Sequence, residues 1–209
     1  MTHKLSGLYA ITDHQLMPDK ASLLQQVETS LLGGARVIQY RDKSNDKSRR
    51  FDEATALLAL CRRYQTPLLI NDDVALAAEI GADGVHLGQS DGAVTQARAL
   101  LGPTAIIGVT CHSSLDLALE AQKAGADYVA FGAFFPSKPK PNAKPAPMSL
   151  LNSAKGNLHL PIVAIGGISM DNAEQIIAAG ADMVAVIHAL FAQDDIQTTA
   201  SRFAGLFTN

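Results

Sequence analysis

A group of charged and amide side chains early in this sequence suits a bound phosphate. It is the stretch Gln39-Tyr40-Arg41-Asp42-Lys43, which directly follows a short apolar run. Alternate side chains of an extended chain share a face, so Gln39, Arg41 and Lys43 are expected to point the same way. A forked guanidinium beside an ammonium group binds a polyphosphate well. The alternative is a solvated surface turn, which remains open for this cluster taken alone.

Acidic residues follow two later apolar runs and suit a divalent cation. The two segments are Asn71-Asp72-Asp73 and His86-Leu87-Gly88-Gln89-Ser90-Asp91. One or two carboxylates, completed by phosphate oxygens and water, are what Mg²⁺ usually takes from a protein. Asp73 stands where a helical pattern begins, so we assign it as the helix N-cap. Asp72 and Asp91 are then the predicted metal ligands.

Two histidines and a threonine lie near the same strand ends. We interpret His86 as a buried, hydrogen-bonded histidine rather than a base. The hydroxyl of Thr110 could hydrogen-bond a phosphate or a ring, and His112 could carry a proton at neutral pH. Equally, Ser113 or Ser114 could cap the next helix, leaving His112 without a chemical role.

A loop rich in Lys and Pro, residues 136–147, is too polar and proline-laden for a helix or a strand. It carries the hydroxyl of Ser137 and the ammonium groups of Lys138 and Lys140. Long loops in compact domains tend to be functional. The composition therefore predicts a lid that brings positive charge onto a bound anion.

Backbone groups near the end of the chain predict a second anion site. Paired glycines, Gly166 and Gly167, let backbone amides approach a phosphate. Ile187 and His188 lead from an apolar run into a helical pattern, whose first amides carry partial positive charge. The alternative is that the glycines serve only a tight turn.

These groups require a scaffold that brings eight chain segments together. Short runs rich in Val, Ile and Leu alternate with amphipathic segments along the whole sequence, as expected for buried parallel strands and the helices between them. The predicted strands are 7–12, 35–40, 67–70, 84–87, 105–109, 128–131, 162–165 and 183–187. The predicted helices are 23–32, 51–64, 74–80, 93–101, 115–124, 171–179 and 189–207.

One joint between helix and strand recurs four times. It is written Gly33-Gly34-Ala35, Gly81-Ala82-Asp83, Gly125-Ala126-Asp127 and Gly180-Ala181-Asp182. Glycine there can end a helix in the left-handed conformation. A repeated βα unit with no dinucleotide fingerprint predicts a single (β/α)8 TIM barrel over residues 1–209, with chemistry at the carboxyl ends of its strands. A doubly wound open sheet is the alternative.

Composition narrows the class of partner. The chain of 209 residues is 47% hydrophobic, which suits one globular domain with its own core. Seventeen basic against twenty acidic residues give a net charge of -3 and argue against nucleic acid. Neither a signal peptide nor a membrane-spanning apolar stretch is recognisable, so no membrane association and a cytoplasmic location are expected. A homodimer is plausible on base rates alone.

The two cysteines, Cys61 and Cys111, are expected to be reduced thiols because they form no CxxC pair. A nucleophilic role for Cys111 is disfavoured, since His112 is its sole apparent activating partner. No Ser-His-Asp grouping is recognisable either. Two anion sites at the same end of the predicted barrel therefore predict a transfer between small phosphorylated molecules. Pyrophosphate would leave with metal help while a second, phosphorylated reactant attacks.

Six stretches of the chain resemble the signature segments of the thiamine-phosphate synthase family. They are Tyr9-Ala10-Ile11-Thr12-Asp13 together with residues 39–43, 71–73, 84–91, 108–110 and 164–168. They occur in order from the first strand to the last, so the resemblance covers essentially the whole chain. It implies a transferase of thiamine biosynthesis that joins 4-amino-2-methyl-5-(diphosphooxymethyl)pyrimidine to a thiazole phosphate or carboxythiazole phosphate. The products would be thiamine phosphate and pyrophosphate, with one Mg²⁺ per active site.

The resemblance also implies roles for individual residues. Those implied for the pyrimidine diphosphate are Gln39, Tyr40, Arg41, Asp42, Lys43, Asn71, Thr110 and Lys140, with Arg41, Lys43, Thr110 and Lys140 as the catalytic set. Those implied for the thiazole phosphate are Ser137, Lys138, Pro139, Gly167, Ile187 and His188, and those for Mg²⁺ are Asp72 and Asp91. In the family, the bond to pyrophosphate breaks largely first and the thiazole nitrogen captures a pyrimidine-methyl cation. Groups that neutralise charge on the leaving oxygens suit that chemistry.

Two positions depart from the family pattern. The family loop usually reads Thr-x-Thr-Lys, whereas this chain has Ser137-Lys138-Pro139-Lys140. Pro139 has neither a hydroxyl nor a backbone N–H to offer. The family commonly has serine where this chain has His188. We therefore expect weaker thiazole-phosphate binding than in a chain with the full motif.

Two other functions remain as alternatives. A thiazole tautomerase, a relative on the same barrel, would isomerise a thiazole carboxylate phosphate and could use His112 for proton transfer. Gln39, Asp91 and Lys140 argue against it because they would serve a pyrophosphate that the tautomerase never meets. The other alternative is a non-catalytic phosphate-binding barrel, which the altered loop alone supports.

Overall fold

The computed structural model describes residues 5–90, 92–136 and 145–207. In these residues eight parallel strands form a closed barrel in chain order, with β8 paired to β1. The strands are β1 (Gly7–Ile11), β2 (Val37–Tyr40), β3 (Leu68–Asn71), β4 (Gly84–Leu87), β5 (Ile106–Thr110), β6 (Tyr128–Phe131), β7 (Ile162–Ile165) and β8 (Met183–Val186). The prediction of a (β/α)8 barrel is confirmed, and the open doubly wound sheet is excluded.

Helices alternate with the strands and cover the outside of the barrel. They are α1 (Lys20–Leu32), α2 (Lys47–Arg63), α3 (Val74–Ile80), α4 (Val94–Leu101), α5 (Leu115–Lys123), α6 (Ser149–Asn157), α7 (Ala173–Ala178), α8 (His188–Phe191) and α9 (Ile196–Gly205). No helix in the described parts of the chain is both long and apolar enough to cross a bilayer.

Two helical features differ from the prediction. Helix α6 was not predicted, because Asn152, Gly156 and Asn157 weaken its helical pattern. Buried Leu150, Leu151 and Ala154 hold it against the barrel instead. The single helix predicted over 189–207 is wrong. The chain breaks after α8, and Asp195 starts α9 by accepting a hydrogen bond of 2.9 Å from the Thr198 amide.

Side chains of the strands divide into two layers by parity. One set packs inside the barrel and includes Tyr9, Tyr128, Val163 and Met183. The other set packs against the helices and forms the larger core. Gln39 and Arg41 lie two and four residues after Val37, which faces the barrel interior. Tyr40 belongs to the outer core. Neighbouring residues of the 39–43 motif therefore lie on opposite faces of the sheet.

The recurring joints fasten the end of the barrel where the strands begin. Asp83, Asp127 and Asp182 each accept a hydrogen bond, of 2.7–2.9 Å, from the amide of a preceding strand. The three donors are Leu68, Ile107 and Ile162, whose carbonyls accept from the amides of the same aspartates. Each aspartate thus makes two hydrogen bonds with one strand residue, and we name such a pair an aspartate clasp. At the fourth joint Arg36 takes the place of aspartate and makes only the backbone half, to Leu8.

Candidate active site

Three predicted residues meet where β2 and β3 end. The Lys43 ammonium group donates to Asp72 Oδ2 at 2.5 Å, and Asn71 Nδ2 donates to the same oxygen at 2.6 Å. Asp72 adopts a left-handed backbone conformation with φ +63, and its amide donates to the His86 carbonyl of β4. The Asp72 side chain is 25% exposed and that of Lys43 is 52% exposed, so both remain reachable from solvent. We name Lys43, Asn71 and Asp72 the charged rim.

Asp73 performs a different task from its neighbour. Its Oδ1 accepts from the Leu76 amide at 2.9 Å, which confirms its assignment as the N-cap of α3. Its Oδ2 accepts from the Arg50 guanidinium at 2.8 Å. The first bond caps α3, and the second ties the start of α3 to α2. Asp73 therefore has a structural role next to the charged rim.

A polar cavity of about 490 Å³ opens beside the charged rim, between the starts of α2 and α3. Its lining includes Lys43, Arg50, Asp72 and Asp73, so it mixes both signs of charge. Arg41 lies just beyond β2 and is partly exposed, with its amide held by the Thr12 hydroxyl at 2.9 Å. The cavity is large enough and polar enough for a small phosphorylated ligand.

The side chains of Tyr40 and Asp42 contact α2, although Asp42 also lines the cavity, and the substrate-binding role implied for both remains a prediction. The Tyr40 hydroxyl donates to Glu53 of α2 at 2.7 Å, and Arg49 Nε donates to Glu53 at 2.8 Å. Asp42 lies 3.7 Å from the same guanidinium. Tyr40, Asp42 and Glu53 are buried between barrel and helix. Strand alternation explains the placement of Tyr40, which is turned outward when its neighbour Gln39 is turned inward.

A line of hydrogen bonds crosses the inside of the barrel. Gln39 Nε2 donates to Tyr9 Oη at 2.6 Å, and Tyr9 Oη lies 2.8 Å from Tyr128 Oη. His86 Nδ1 is 2.7 Å from Tyr128 Oη, and His86 Nε2 is 2.8 Å from Thr110 Oγ1. We name these five side chains the interior chain. It joins Gln39 and Thr110, two predicted substrate-binding residues that are far apart in sequence.

Sequence analysis missed the part that Tyr9 and Tyr128 play in this line. The available signal was a tyrosine at an inward position of an otherwise aliphatic strand, with a glycine on the neighbouring strand. Gly108 is that glycine, because a Cβ there would lie 1.9 Å from the Tyr128 ring. The ring of His86 stacks on that of Tyr128, with centroids 5.6 Å apart.

His86 behaves as interpreted from the sequence. It is partly buried, and both of its ring nitrogens have hydrogen-bond partners. Burial lowers its pKa to about 4, so the imidazole is neutral at physiological pH. The ring is therefore built to hold neighbours in place and not to accept a proton from a substrate.

The residues after β5 offer no activated nucleophile. Cys111 is fully buried, and that burial raises its pKa to about 12. His112 is exposed in a left-handed conformation with φ +50. Ser114 caps α5 by accepting from the Leu117 amide at 3.3 Å. The capping interpretation thus holds for Ser114.

Close packing requires the paired glycines after β7. Both have positive φ, +98 at Gly166 and +66 at Gly167. A Cβ on Gly167 would lie 2.6 Å from the Pro136 carbonyl oxygen, and one on Gly166 would lie 2.3 Å from Ala133 Cβ. The loop after β6 therefore lies directly on this turn. Packing alone explains the glycines, and their amides as phosphate ligands remain a prediction.

The last predicted contacts lie where β8 ends. Ile187 is half-buried, and His188 is exposed at the start of the four-residue helix α8. Other predicted residues lie outside the described parts of the chain, and they are Asp91, Ser137, Lys138, Pro139 and Lys140. Among the residues that are described, no group of three or more His, Cys, Asp or Glu side chains could hold a metal ion.

Comparisons with known proteins agree with the sequence resemblance. A family model described as thiamine monophosphate synthase matches residues 8–190. A thiamine-phosphate synthase of Saccharophagus degradans is 54% identical over 209 residues, covering 100% of this chain and 96% of that protein. A second one, of Thioalkalivibrio sulfidiphilus, is 54% identical over 204 residues, with 98% and 96% covered.

A solved structure adds a match in three dimensions. The thiamine phosphate pyrophosphorylase of Pyrococcus furiosus superposes with a TM-score of 0.86 at 34% identity, covering 96% of this chain and 95% of that one. Its barrel and this barrel therefore share their architecture over nearly their full lengths. Fold, family match and sequence identity agree, and the chain belongs to the thiamine monophosphate synthase family.

Proposed function

We propose that this chain is a thiamine-phosphate synthase that joins the pyrimidine diphosphate to a thiazole phosphate and releases pyrophosphate. The observation that carries the proposal is the charged rim, where Lys43, Asn71 and Asp72 converge from two strands. It offers a cation and an amide to one diphosphate, and a carboxylate to the Mg²⁺ ion that would accompany it. The two relatives that are 54% identical over nearly their whole lengths carry the name of this activity.

The pyrimidine diphosphate is proposed to bind across the charged rim and the end of the interior chain. Arg41, Lys43, Asn71 and Thr110 would hold the diphosphate oxygens, joined by Lys140. Gln39 would face the pyrimidine ring. Tyr40 and Asp42 stay in the proposed set, although both also contact α2, and Asp42 lines the cavity beside the charged rim.

Asp72 fits a magnesium ion by the chemistry of its donors. Its carboxylate supplies hard anionic oxygens, is a quarter exposed and stands beside the proposed diphosphate. Asp72 and Asp91 would hold the ion. Mg²⁺ supplies positive charge that stabilises a departing pyrophosphate. Lys43, which already contacts Asp72, would share the same oxygens of the ligand.

The thiazole phosphate is proposed to bind on the opposite side of the mouth. Its ligands would be residues 137–139, Gly167, Ile187 and His188, largely through backbone amides. The loops after β6 and β7 are already in contact, since the Phe135 amide donates to the Gly166 carbonyl at 3.1 Å. That contact supports a shared phosphate site formed by the two loops.

The proposed reaction needs no general base. The bond from the pyrimidine methylene carbon to the diphosphate oxygen breaks, and both electrons leave with the oxygen. The thiazole nitrogen then donates its lone pair to the resulting cation. Arg41, Lys43 and Thr110 stabilise the charge that develops on the leaving oxygens. The neutral imidazole of His86 and the buried thiol of Cys111 are consistent with this division of roles.

One assay separates this function from the two alternatives. The protein is incubated with Mg²⁺ and with each substrate alone or both together, and pyrophosphate is measured. Release that requires both substrates is the expected result. A tautomerase would isomerise the thiazole carboxylate phosphate without the pyrimidine, and a non-catalytic barrel would release nothing. Either of those results would contradict the proposal.

A further inference from the structure

The interior chain has a direction that can be worked out from its hydrogens. Its four contacts are between 2.6 and 2.8 Å, so each must hold one shared proton. An amide nitrogen donates and cannot accept, so Gln39 Nε2 gives a proton to Tyr9 Oη. The single proton of Tyr9 then goes to Tyr128 Oη. The single proton of Tyr128 goes on to His86 Nδ1.

The direction continues through His86 to the mouth of the barrel. A His86 Nδ1 that accepts from Tyr128 leaves the ring proton of the neutral imidazole on Nε2. Nε2 therefore donates to Thr110 Oγ1. The hydroxyl proton of Thr110 is then left over for an acceptor beyond the chain. Thr110 is partly exposed at the end of β5, where such an acceptor can reach it.

Two other arrangements fit the same distances less well. With Gln39 Nε2 donating to Tyr9, a doubly protonated His86 would donate from both nitrogens, and the buried Tyr128 hydroxyl would find no acceptor for its own proton. Alternatively, the amide of Gln39 could turn its oxygen toward Tyr9 and reverse every bond. The His86 proton would then sit on Nδ1, and Thr110 would offer only lone pairs toward the mouth. Lone pairs repel an anionic ligand.

We propose that the interior chain runs from Gln39 to Thr110 and that Tyr9 and Tyr128 are positioning residues. They fix Gln39 Oε1 as a hydrogen-bond acceptor and the Thr110 hydroxyl as a donor before any ligand arrives. A ligand with an amino group at one end and a phosphate at the other is thereby selected. Two points rest on the proposed function: the rejection of the reversed direction, which assumes an anionic ligand, and the naming of that ligand as the pyrimidine diphosphate.

The first test reads the direction in the free protein. Nitrogen-15 spectra of histidine-labelled protein near neutral pH distinguish the two neutral tautomers and the imidazolium, and a His86→Gln variant identifies the His86 signals. A proton on Nε2 alone is expected. A proton on Nδ1, or on both nitrogens, would overturn the proposal. No substrate is present, so this result is independent of whether the protein is a synthase.

The second test asks whether Tyr128 acts through Thr110. Tyr128→Phe keeps the ring that fills the space beside Gly108 and removes only the hydroxyl. We expect the Michaelis constant for the pyrimidine diphosphate to rise about three- to tenfold, the effect of misdirecting one hydrogen bond. Tyr64→Phe is the matched control, because the Tyr64 hydroxyl donates to Glu28 outside the barrel, and it should change nothing.

A double-mutant cycle completes the second test. Removing the Tyr128 hydroxyl should raise the Michaelis constant by a smaller factor once Thr110 is replaced by Val, because only its effect through Tyr9 and Gln39 then remains. Independent, multiplicative effects of the two substitutions would show that Tyr128 supports only the fold, and the positioning role would be lost. A protein that fails the pyrophosphate assay but shows the expected tautomer would retain the interior chain and lose the proposed substrate.

Discussion

The two sides of the barrel mouth are formed by different chemical groups, side chains on one side and backbone on the other. At the ends of β2 and β3, charged and amide side chains meet, with Lys43 and Asn71 both on one oxygen of Asp72. At the end of β7, next to β8, the glycine backbone packs against the loop after β6. The first side can concentrate charge on a diphosphate and a metal ion. The second can present amides to a monophosphate, with its shape set by packing.

This difference predicts how each side fails. Truncating one side chain of the charged rim should abolish its function without disturbing the fold, because these side chains are partly exposed and lie at the ends of strands. The glycine side should fail through added bulk, because its backbone has no spare room. Four variants, one of them a double substitution, are described from the largest expected effect to the smallest, and two control variants accompany them.

Asp72→Ala should have the largest effect. It removes the carboxylate proposed for Mg²⁺ and leaves Lys43 without its partner. Pyrophosphate release should fall about 100-fold or more, because several kcal/mol of charge neutralisation are lost. The rate is measured over a range of Mg²⁺ concentrations. Retained activity with normal Mg²⁺ dependence would remove Asp72 from the proposed metal site.

Gly167→Ala tests the packed side. The new Cβ would meet the Pro136 carbonyl at 2.6 Å in a conformation with φ +66. We expect a loss of about 1–3 kcal/mol in the free energy of unfolding, together with a raised Michaelis constant for the thiazole phosphate. That for the pyrimidine diphosphate should change little. Urea unfolding and steady-state kinetics provide the two measurements.

Gly156→Ala is the matched control for Gly167→Ala. Gly156 lies in α6, and a Cβ there would have no neighbour within 4 Å. Alanine should stabilise this helix by about 0.5–1 kcal/mol. Equal destabilisation of the two variants would mean that crowding at Gly167 is not the reason for its glycine.

Restoring the family residues at two positions should have a milder effect. Pro139→Thr combined with His188→Ser returns two hydroxyl groups to the proposed thiazole-phosphate site. The Michaelis constant for the thiazole phosphate should fall about three- to tenfold, the gain of one or two hydrogen bonds. The constant for the pyrimidine diphosphate serves as the internal reference. No change in the thiazole value would contradict the proposed cost of these two departures.

Asp73→Ala should affect catalysis least, although it is adjacent to Asp72. It removes the N-cap of α3 and the ion pair with Arg50, which should cost about 1 kcal/mol of stability. Asp19→Ala removes the corresponding cap of α1 and is the matched control. Both should melt earlier and keep most of their activity. A loss of activity as large as that of Asp72→Ala would place Asp73 in the site as well.

The barrel was predictable because its strands are short aliphatic runs with sharp boundaries. The predicted bounds of β4, β6 and β7 agree with the structure, and every other strand is correct to within two residues. Helix α6 was missed because tertiary packing of Leu150, Leu151 and Ala154 overrides its weak helical pattern. The break before α9 depends on one capping aspartate within a long amphipathic stretch.

The site was only partly predictable from sequence. Lys43, Asn71 and Asp72 converge as parallel strand ends should. Tyr40 and Asp42 belong to the same motif, yet α2 captures their side chains through Glu53 and Arg49. A five-residue signature does not reveal which members face a ligand and which face a helix. The hydrogen-bonding role of Tyr9 and Tyr128 was not predicted, because a tyrosine within an apolar strand looks like an ordinary core residue.

The aspartate clasps have a consequence for how this protein can change. They sit at the floor of the cylinder, where Asp83, Asp127 and Asp182 each tie down the first residues of a strand. His188 occupies the opposite rim, beyond the end of β8. Residues at the His188 end can therefore be substituted, and substrate preference changed, without disturbing the three aspartate clasps that hold the strands together at the other end. The residues that hold the barrel closed are thus separate from the residues proposed to contact the substrates.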